Sequence, residues 1–354
     1  MRIALINDTH FGARQDHPAI NEFIYKFWEG TFFPYLKENN IKQVIHLGDF
    51  VDRRKFINYV TLSHLRRRFM DVLKSEDITM YTIVGNHDIP YRNTNEVNAM
   101  NELFRDYDNI QIYSKPDEII VGSLKLALLP WINHSNMQES LDFVNSTSAE
   151  ILCGHLELSG FEMDRGNICH EGLDAKLFAK FEKVLTGHFH HKSTNGNIHY
   201  LGNQYELTWA DYNDQRGFHV LDTETRELEF VPNPNSIFFK IFYNEDSTTY
   251  QEIVEADYSM YKDTYVKIVV QKKTNQFLLD TLIDNLTKVA PLDISVVEDF
   301  TEITSAEDVD IDQAEDTVTI LNKYVDSLTL PVDSSKMKGI LYQVYNEALE
   351  SENL

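Results

Sequence analysis

The feature that most constrains the fold of this chain is a corner that recurs five times in its first 191 residues. At each corner a short apolar run, typical of a buried β-strand, ends at a glycine or an acidic residue, and polar side chains follow directly. The polar residues at the five corners are Asp8 with His10, Asp49 with Asp52, Asn86 with His87 and Asp88, His155, and His188 with His190. One such corner is ordinary turn chemistry. Five of them are hard to attribute to chance, and they predict a common site.

The residue types at the corners point to bound cations. In a strand, residues i and i+2 face the same side, so Asp8 can converge with His10, and His188 with His190. The corners together supply two carboxylates, one amide and four imidazoles as natural metal ligands. That is too many for a single catalytic ion with an open coordination position. We therefore expect two metal ions at the carboxyl ends of neighbouring strands, where open α/β folds usually bind their ligands.

Two other histidines do not fit this pattern. His46 lies inside a predicted strand, and we interpret it as a packed core histidine. His134 follows the strand-like run Leu124–Leu129 in a loop that has no second ligand-type residue at metal spacing, so we expect it to be exposed to solvent.

The residues between the corners predict an α/β fold. Apolar residues at helical spacing predict helices at about 18–37, 57–74 and 95–105. After the fifth corner, further short apolar runs predict β-strands up to a Pro232–Asn235 cluster, which we interpret as a domain border. The strand and helix patterns beyond this border predict a compact α+β module.

The C-terminal part of the chain is of a different kind. From Asp293 to Asp316 there are ten carboxylates and no Lys or Arg, so the stretch repels itself and predicts an extended linker. Apolar residues between 337 and 349 then form one stripe at helical spacing. The predicted parts are a main α/β domain at 1–235, a small α+β domain at 236–300, an acidic linker at 301–316 and a helical segment at 317–354. Docking of this last segment on another protein is favoured over folding back, because the tether makes folding back entropically costly.

The charge of the chain argues against a simple polyanion binder. Its formal net charge is −24, which would repel nucleic acid in bulk. Metal ions reverse the sign of a carboxylate-lined site, and a basic partner protein would add positive surface elsewhere. A local basic cluster at 53–55 and 66–68 is also present, although the second triplet is equally compatible with a solvated helix face.

Composition and the N-terminal residues predict a cytoplasmic protein. Hydrophobic and charged contents of 42% and 25% are ordinary for a globular chain. There is no apolar run long enough to cross a bilayer, and Met1 leads into a strand rather than a signal peptide. Cys153 and Cys169 are expected to be free thiols, as in a reducing compartment.

Across roughly residues 1–200 the corner motifs resemble the calcineurin-like metallophosphoesterase superfamily. Within it the chain is most similar to the SbcD or Mre-type DNA repair nucleases, and especially to the recombination nuclease subunits of T-even-like phages. The resemblance extends to the whole layout. It implies a metallophosphoesterase β-sandwich flanked by helices, a small α+β capping domain, the acidic linker and partner-binding terminal helices.

The resemblance also implies a role for each corner residue. The implied metal ligands are Asp8, His10 and His190 for a first ion, Asn86, His155 and His188 for a second, and Asp49 as the bridge between them. The ion most often used by this nuclease family is Mn²⁺, and a mixed carboxylate and imidazole shell accepts it. The sequence does not distinguish Mn²⁺ from Fe, Zn or Mg.

His87 and Asp52 are the implied catalytic residues. His87 is adjacent to a ligand without being needed as one, so it is placed to protonate the leaving oxygen or to stabilise the transition state. Asp52 would orient that imidazole, as the matching aspartate does in related phosphatases. Some members of the nuclease branch carry histidine in place of Asp52, which leaves the balance of exonuclease and endonuclease cutting open.

Three functions compete at this point. The first is a two-metal DNA nuclease in recombination, repair and replication, an exonuclease on double-stranded ends and an endonuclease on single strands. The resemblance implies that it works with an SbcC-like SMC ATPase, bound by the C-terminal helices, in the host cytoplasm if the chain is phage-encoded. The second is a phosphoprotein or small-molecule metallophosphatase, because residues 48–53 are close to the phosphatase form of that motif. The third, a non-enzymatic adaptor, is disfavoured because every ligand position is intact.

A homodimer is a further expectation. The helices near 57–74 and 95–105 follow the second and third corners, and relatives pair through helices at those places.

Overall fold

The structure of the chain is a computed structural model that describes residues 1–91, 93–164 and 167–298. The described residues up to Glu298 belong to one compact unit. The predicted linker at 301–316 and the predicted helical segment at 317–354 lie outside the described residues and remain predictions, as does the domain border at 235/236.

The strands of the described residues form two large sheets and two small ones. They are β1 Arg2–Ile6, β2 Gln43–His46, β3 Thr79–Ile83, β4 Ile110–Tyr113, β5 Asp117–Val121, β6 Leu124–Leu129, β7 Ile151–His155, β8 Glu162–Asp164, β9 Asn167–Ile168, β10 Lys183–Gly187, β11 Ser193–Asn195, β12 Ile198–Tyr200, β13 Gly217–Asp222, β14 Leu228–Pro232, β15 Phe238–Asn244, β16 Tyr265–Lys272 and β17 Asp293–Glu298.

The helices connect these strands in chain order. They are α1 Pro18–Phe27, α2 Phe33–Glu38, α3 Tyr59–Leu65, α4 Asp71–Ser75, α5 Ala99–Phe104, α6 Met137–Ser146, α7 Tyr250–Glu255 and α8 Gln276–Lys288. Short π-helical turns join α1 to α2 and α3 to α4, so the predicted helices at 18–37 and 57–74 are each continuous. Helix α5 begins four residues later than predicted, because Asn98 caps it by accepting a hydrogen bond from Asn101 N at 2.9 Å.

The two large sheets face each other as a sandwich. The first has the order β14-β13-β1-β2-β3-β4 and the second β11-β12-β10-β7-β6-β5. In the first sheet β1 to β4 run parallel, and in the second β6, β7, β10 and β12 run parallel. One apolar core fills the space between the sheets, with Leu5 and Ile45 from the first and Leu126, Ile151 and Leu185 from the second.

Helices cover the outer face of each sheet. An aromatic-rich core that includes Trp28, Phe50 and Phe69 joins the first sheet to α1 to α5. A third core that includes Phe178 and Val144 packs the second sheet against α6. Because parallel strands point the same way, the ends of β1, β2, β3, β7 and β10 put the five corners at one side of the sandwich. The predicted β-sandwich flanked by helices is confirmed.

The residues after 236 form a small module of their own. Strands β15, β16 and β17 make a parallel sheet, connected by α7 and α8. Buried Val266 and Ile268 pack against Leu282 and Leu286 of α8. The predicted strands and the longer helix of this module are confirmed, whereas α7, like β4 and α6 earlier in the chain, was not predicted.

Smaller expectations can also be checked. Cys153 and Cys169 are buried free thiols, as predicted. His46 is fully buried beside Thr9 and His134 is exposed, which confirms both interpretations. Within the described part of the chain, no helix has the length and apolar character that crossing a membrane requires.

Candidate metal centre

The seven side chains predicted as metal ligands meet at the side of the sandwich where the corners lie. Ligand atoms of Asp8, His10 and His190 all lie within 4.8 Å of one another, and the Nε2 atoms of the two histidines are 3.0 Å apart. This first group comes from the ends of β1 and β10. It contains the three residues implied for the first metal ion.

A second group lies beside the first. Asn86 Oδ1 is 2.9 Å from both His155 Nε2 and His188 Nδ1, and Asp49 Oδ2 is 3.3 Å from His155 Nε2. Asp49 Oδ2 is also 3.9 Å from Nε2 of His10 in the first group. The Asp49 carboxylate therefore stands between the two groups, where a bridging ligand would be.

The backbone turns sharply to aim these side chains. Asp8, His10, Asp49 and His188 have φ angles of 46°, 42°, 57° and 91°, in the left-handed region that L residues other than glycine seldom adopt. Each such residue costs about 1–3 kcal/mol, and residues of this kind cluster at functional sites. Four of the seven predicted ligands thus carry a local cost that an ordinary turn would give to glycine.

Two glycines leave room for this arrangement. A Cβ on Gly85 would lie 2.2 Å from both the backbone N and Oδ1 of Asp49, which excludes any side chain there. Gly48 has a φ of +90°, and a Cβ on it would lie 2.6 Å from His155 Nδ1. The glycines of the second and third corners are therefore required by the close approach of Asp49 and His155.

Asp88 holds the second and third corners together. Its buried carboxylate accepts main-chain hydrogen bonds at 2.8–3.2 Å from four N–H groups, those of Asp49, Phe50, Val51 and Gly85. Burial and the nearby Asp49 carboxylate raise the pKa of Asp88 to about 6, while the main-chain donors oppose that shift. Sequence reasoning assigned Asp88 no role, although its place directly after His87 in the third corner could have drawn attention to it.

The outward nitrogens of two histidines set the inward ones free for a metal. His155 Nδ1 lies 2.7 Å from the carbonyl oxygen of Leu47, which only accepts, so Nδ1 carries the proton and Nε2 presents a lone pair. His10 Nδ1 lies 3.4 Å from Asp52 Oδ1, which favours the same tautomer. These tautomers are assigned from the hydrogen-bonding geometry.

The electrostatics of the pocket also suit cations. Burial raises the pKa of Asp8 to about 6, which is the response of a carboxylate that lacks a nearby positive charge. Burial, together with His155, lowers the pKa of His188 to about 3, and burial lowers that of His190, so both rings are neutral. Burial would also lower the pKa of His155, but the Asp49 carboxylate overrides it and raises that pKa to about 9. Carboxylates, an amide oxygen and neutral imidazoles packed this closely fit a pair of divalent cations.

His87 and Asp52 lie next to the first group, in a different relation from the one predicted. The His87 ring is 4.8 Å from the His10 ring, and His87 Nδ1 is 2.6 Å from the main-chain carbonyl oxygen of Asp52. The Asp52 carboxylate instead approaches His10 at 3.4 Å. Asp52 therefore orients His87 through its backbone, and its side chain faces a predicted metal ligand.

Trp131 is a second residue to which sequence reasoning gave no role. Its ring lies 5.0 Å from that of His188 and 5.9 Å from that of His155. The Pro130-Trp131 pair closes β6 in the sequence, and an aromatic residue at a strand end beside the corners is the signal that could have identified it.

Comparison with known proteins now defines the class of this chain. The profile of the calcineurin-like phosphoesterases matches residues 1–238, and the chain belongs to that family. Exonuclease subunit 1 of Enterobacteria phage T4 is 31% identical over 357 aligned residues, which cover 99% of this chain and 100% of that protein. The SbcD subunit of nuclease SbcCD from Staphylococcus epidermidis is 23% identical over 310 residues, covering 75% of this chain and 78% of that protein.

One solved structure can be added to these relatives. The crystal structure of Pseudomonas putida nuclease MPE overlaps 61% of this chain and 83% of its own, with 17% identity and a TM-score of 0.28. The resemblance to the superfamily, and to its phage and SbcD members, is confirmed by the sequence comparisons.

Proposed function

We propose that this chain is a metal-dependent DNA nuclease that hydrolyses phosphodiesters with two divalent cations, Mn²⁺ being the first to test. The observation that carries the proposal is the convergence of seven metal-type ligands, in two groups joined by Asp49, at the ends of five strands. Asp8, His10, His190 and Asp49 would hold one cation, and Asn86, His155, His188 and Asp49 the other. The chemistry that such cations supply is activation of water and neutralisation of the phosphoryl oxygens.

The protein's own contribution is the placement of a proton at His87. Hydroxide attacks phosphorus, the bond to the leaving oxygen breaks, and that oxygen needs a proton. His87 Nδ1 donates to the Asp52 carbonyl oxygen, so Nε2 is the atom left to hold the proton that is transferred. Burial lowers the pKa of His87, and a phosphodiester anion beside it would favour the imidazolium form again.

DNA is proposed as the substrate because of the relatives. The phage T4 and staphylococcal proteins bear the names of an exonuclease and a nuclease subunit, and the T4 protein aligns over its whole length. We propose exonuclease action on double-stranded ends and endonuclease action on single strands, in the cytoplasm. A metallophosphatase is the alternative, because residues 48–53 resemble the phosphatase form of the motif.

The test is hydrolysis of end-labelled duplex DNA with Mn²⁺, with Mg²⁺ and with a chelator, compared with hydrolysis of phosphopeptides. We expect metal-dependent DNA cutting that is lost in Asp49→Ala and kept in Asp280→Ala, an exposed aspartate of α8. Phosphopeptide hydrolysis without DNA cutting would favour the phosphatase. No metal-dependent hydrolysis of either substrate would remove the enzymatic proposal.

An ATPase partner is proposed for residues 317–354. The staphylococcal relative is named as one subunit of a two-part nuclease, and the apolar stripe at 337–349 offers a docking helix. Deletion of 317–354 should abolish association with the SbcC-like ATPase while DNA hydrolysis by the chain alone continues. Retained association after deletion would place the docking surface elsewhere.

A homodimer is proposed from an exposed apolar patch near α3 and α5. Its members, all between 53% and 86% exposed, are Phe56, Tyr59, Val60, Tyr91 and Val97. A patch of this kind on a soluble chain is typical of an interface. Light scattering at micromolar concentration should give a dimer mass that Tyr59→Glu converts to a monomer mass and Tyr250→Glu, in α7, leaves unchanged. A monomer for the unaltered chain would contradict the proposal.

A further inference from the structure

A cleft of about 390 Å³ opens beside the second ligand group. Asn86 and His188 form its inner end, so anything that enters it lies next to the proposed second cation. Trp131 forms one wall together with Ile89, which makes that side of the cleft apolar. The volume is in the range of a single nucleotide or a compact small molecule.

Trp131 is held rigidly at this cleft. Its N–H donates to Val84 O at 2.8 Å, and its carbonyl oxygen accepts from Asn95 Nδ2 at 2.9 Å and Asn136 Nδ2 at 3.0 Å. Both asparagines are buried, and Asn133 links them by donating to Asn95 Oδ1 and, from its backbone N–H, to Asn136 Oδ1. A network of buried amides thus fixes the main chain under a large ring that is only half-buried.

The polar groups of the cleft are arranged for a nucleotide. Arg54 adds a positive charge near the metal end, and Glu157 stands on another wall. A phosphate would be attracted by Arg54 and the cations and repelled by Glu157, which directs the anionic part of a ligand inward. The outer part of the ligand then lies against Trp131, where an aromatic ring is the best partner for a nucleobase.

We propose that this cleft binds the nucleobase of one nucleotide next to the scissile phosphate, with Trp131 as the stacking residue that positions it. The proposal rests on the DNA nuclease function proposed above. Stacking on one aromatic ring is sequence-tolerant, because every base has a π-face. The competing explanation is that Trp131 only packs against His188 and keeps that ligand in place.

The test is a cycle that removes the ring and the base separately. Trp131→Leu and the unaltered chain are each assayed with Mn²⁺ on duplex DNA in which one nucleotide is a tetrahydrofuran abasic analogue, moved through the positions that flank the cut. At one flanking position the analogue should reduce kcat/KM of the unaltered chain by about ten- to a hundredfold, mainly through KM. Trp131→Leu should show the same loss on intact DNA and no further loss on that abasic DNA. Trp131→Phe should restore most of the activity.

The other outcomes overturn the proposal in distinguishable ways. If Trp131→Leu lowers activity by the same factor on intact and on abasic DNA, relative to the unaltered chain on each, Trp131 only supports His188. If the unaltered chain is indifferent to the analogue at every flanking position, the cleft binds no base, whatever the variant does. If the unaltered chain cuts no DNA with Mn²⁺, the nuclease function fails and the base-binding proposal falls with it.

Discussion

The metal centre and the module after residue 236 are built on opposite principles. At the centre, buried carboxylates such as Asp8 and Asp49 lie among histidines, and four predicted ligands adopt left-handed backbone conformations. In the module, Ile268 and Leu282 form an ordinary apolar core, and α7 begins at a capping box of Thr249 and Glu252. The centre therefore gives up stability for geometry, whereas the module contributes stability and has no cluster of metal-type ligands among its described residues.

This difference predicts how substitutions should divide. Changes at the centre should reduce metal binding and turnover far more than the free energy of unfolding, and changes in the module should do the reverse. A residue that violates this division would show that the two regions are coupled.

The largest effect is expected for Asp49→Ala. Asp49 stands between both ligand groups, so its loss should abolish binding of both cations and lower kcat/KM by about four decades or more. The free energy of unfolding of the metal-free protein should change little, because a buried carboxylate with a left-handed backbone is removed. Calorimetric titration with Mn²⁺ measures the first effect and urea unfolding the second. Two bound ions in the variant would contradict the bridging role.

The next effect is expected for His87→Ala. Its ring neighbours His10 without belonging to either ligand group, so both cations should still bind while turnover falls by about two to four decades. His134→Ala, at an exposed histidine of the same chain, is the matched control and should behave as the unaltered protein. Near-normal hydrolysis by His87→Ala would remove this residue from the mechanism.

The sequence predicted the ligands well because each corner is a local event. A strand, a break and a polar residue follow one another in the chain, and parallel strands then bring Asp8, Asn86 and His155 to the same side of the sandwich. Period-2 and period-3.6 patterns likewise predicted most strands and helices. The start of α5 was misplaced because helical spacing alone does not reveal that Asn98 is the cap.

What the sequence did not reveal depends on contacts between distant residues. The clamp made by Asp88 requires the second and third corners to be adjacent, which no local pattern shows. The contact of His87 with the carbonyl oxygen of Asp52, rather than its carboxylate, depends on the path of the backbone. Trp131 has no periodic signature, and only the fold brings it beside His188.

Asp88→Ala should break the division between the regions, because Asp88 serves both stability and geometry. Its removal leaves four main-chain N–H groups without their acceptor, which should cost about 3 kcal/mol or more of unfolding free energy. The corner that carries Asp49 should loosen with it, so Mn²⁺ affinity should also fall. Asp280→Ala is the control. A stable variant with normal metal binding would show that other contacts hold the corners.

Leu282→Ala tests the opposite side of the comparison. Leu282 is buried between α8 and the small sheet, so truncation should cost about 2–5 kcal/mol of unfolding free energy. Mn²⁺ affinity and kcat should stay unchanged at temperatures where the variant is folded. The control Asp284→Ala, on the same helix, should change neither quantity. A fall in kcat of the folded variant would show that the module acts on the centre.

Asn275→Ala should give the smallest effect and sharpen the comparison most. Asn275 caps α8 by accepting a hydrogen bond from Phe277 N at 3.0 Å, and loss of such a cap costs about 1 kcal/mol. Asn275→Asp keeps the acceptor and places negative charge at the helix start, so it should retain full stability. Thermal unfolding compares the two variants. Because α8 lies wholly in the module, neither should alter Mn²⁺ binding, and a changed affinity would mean that the stability of the module is transmitted to the ligands.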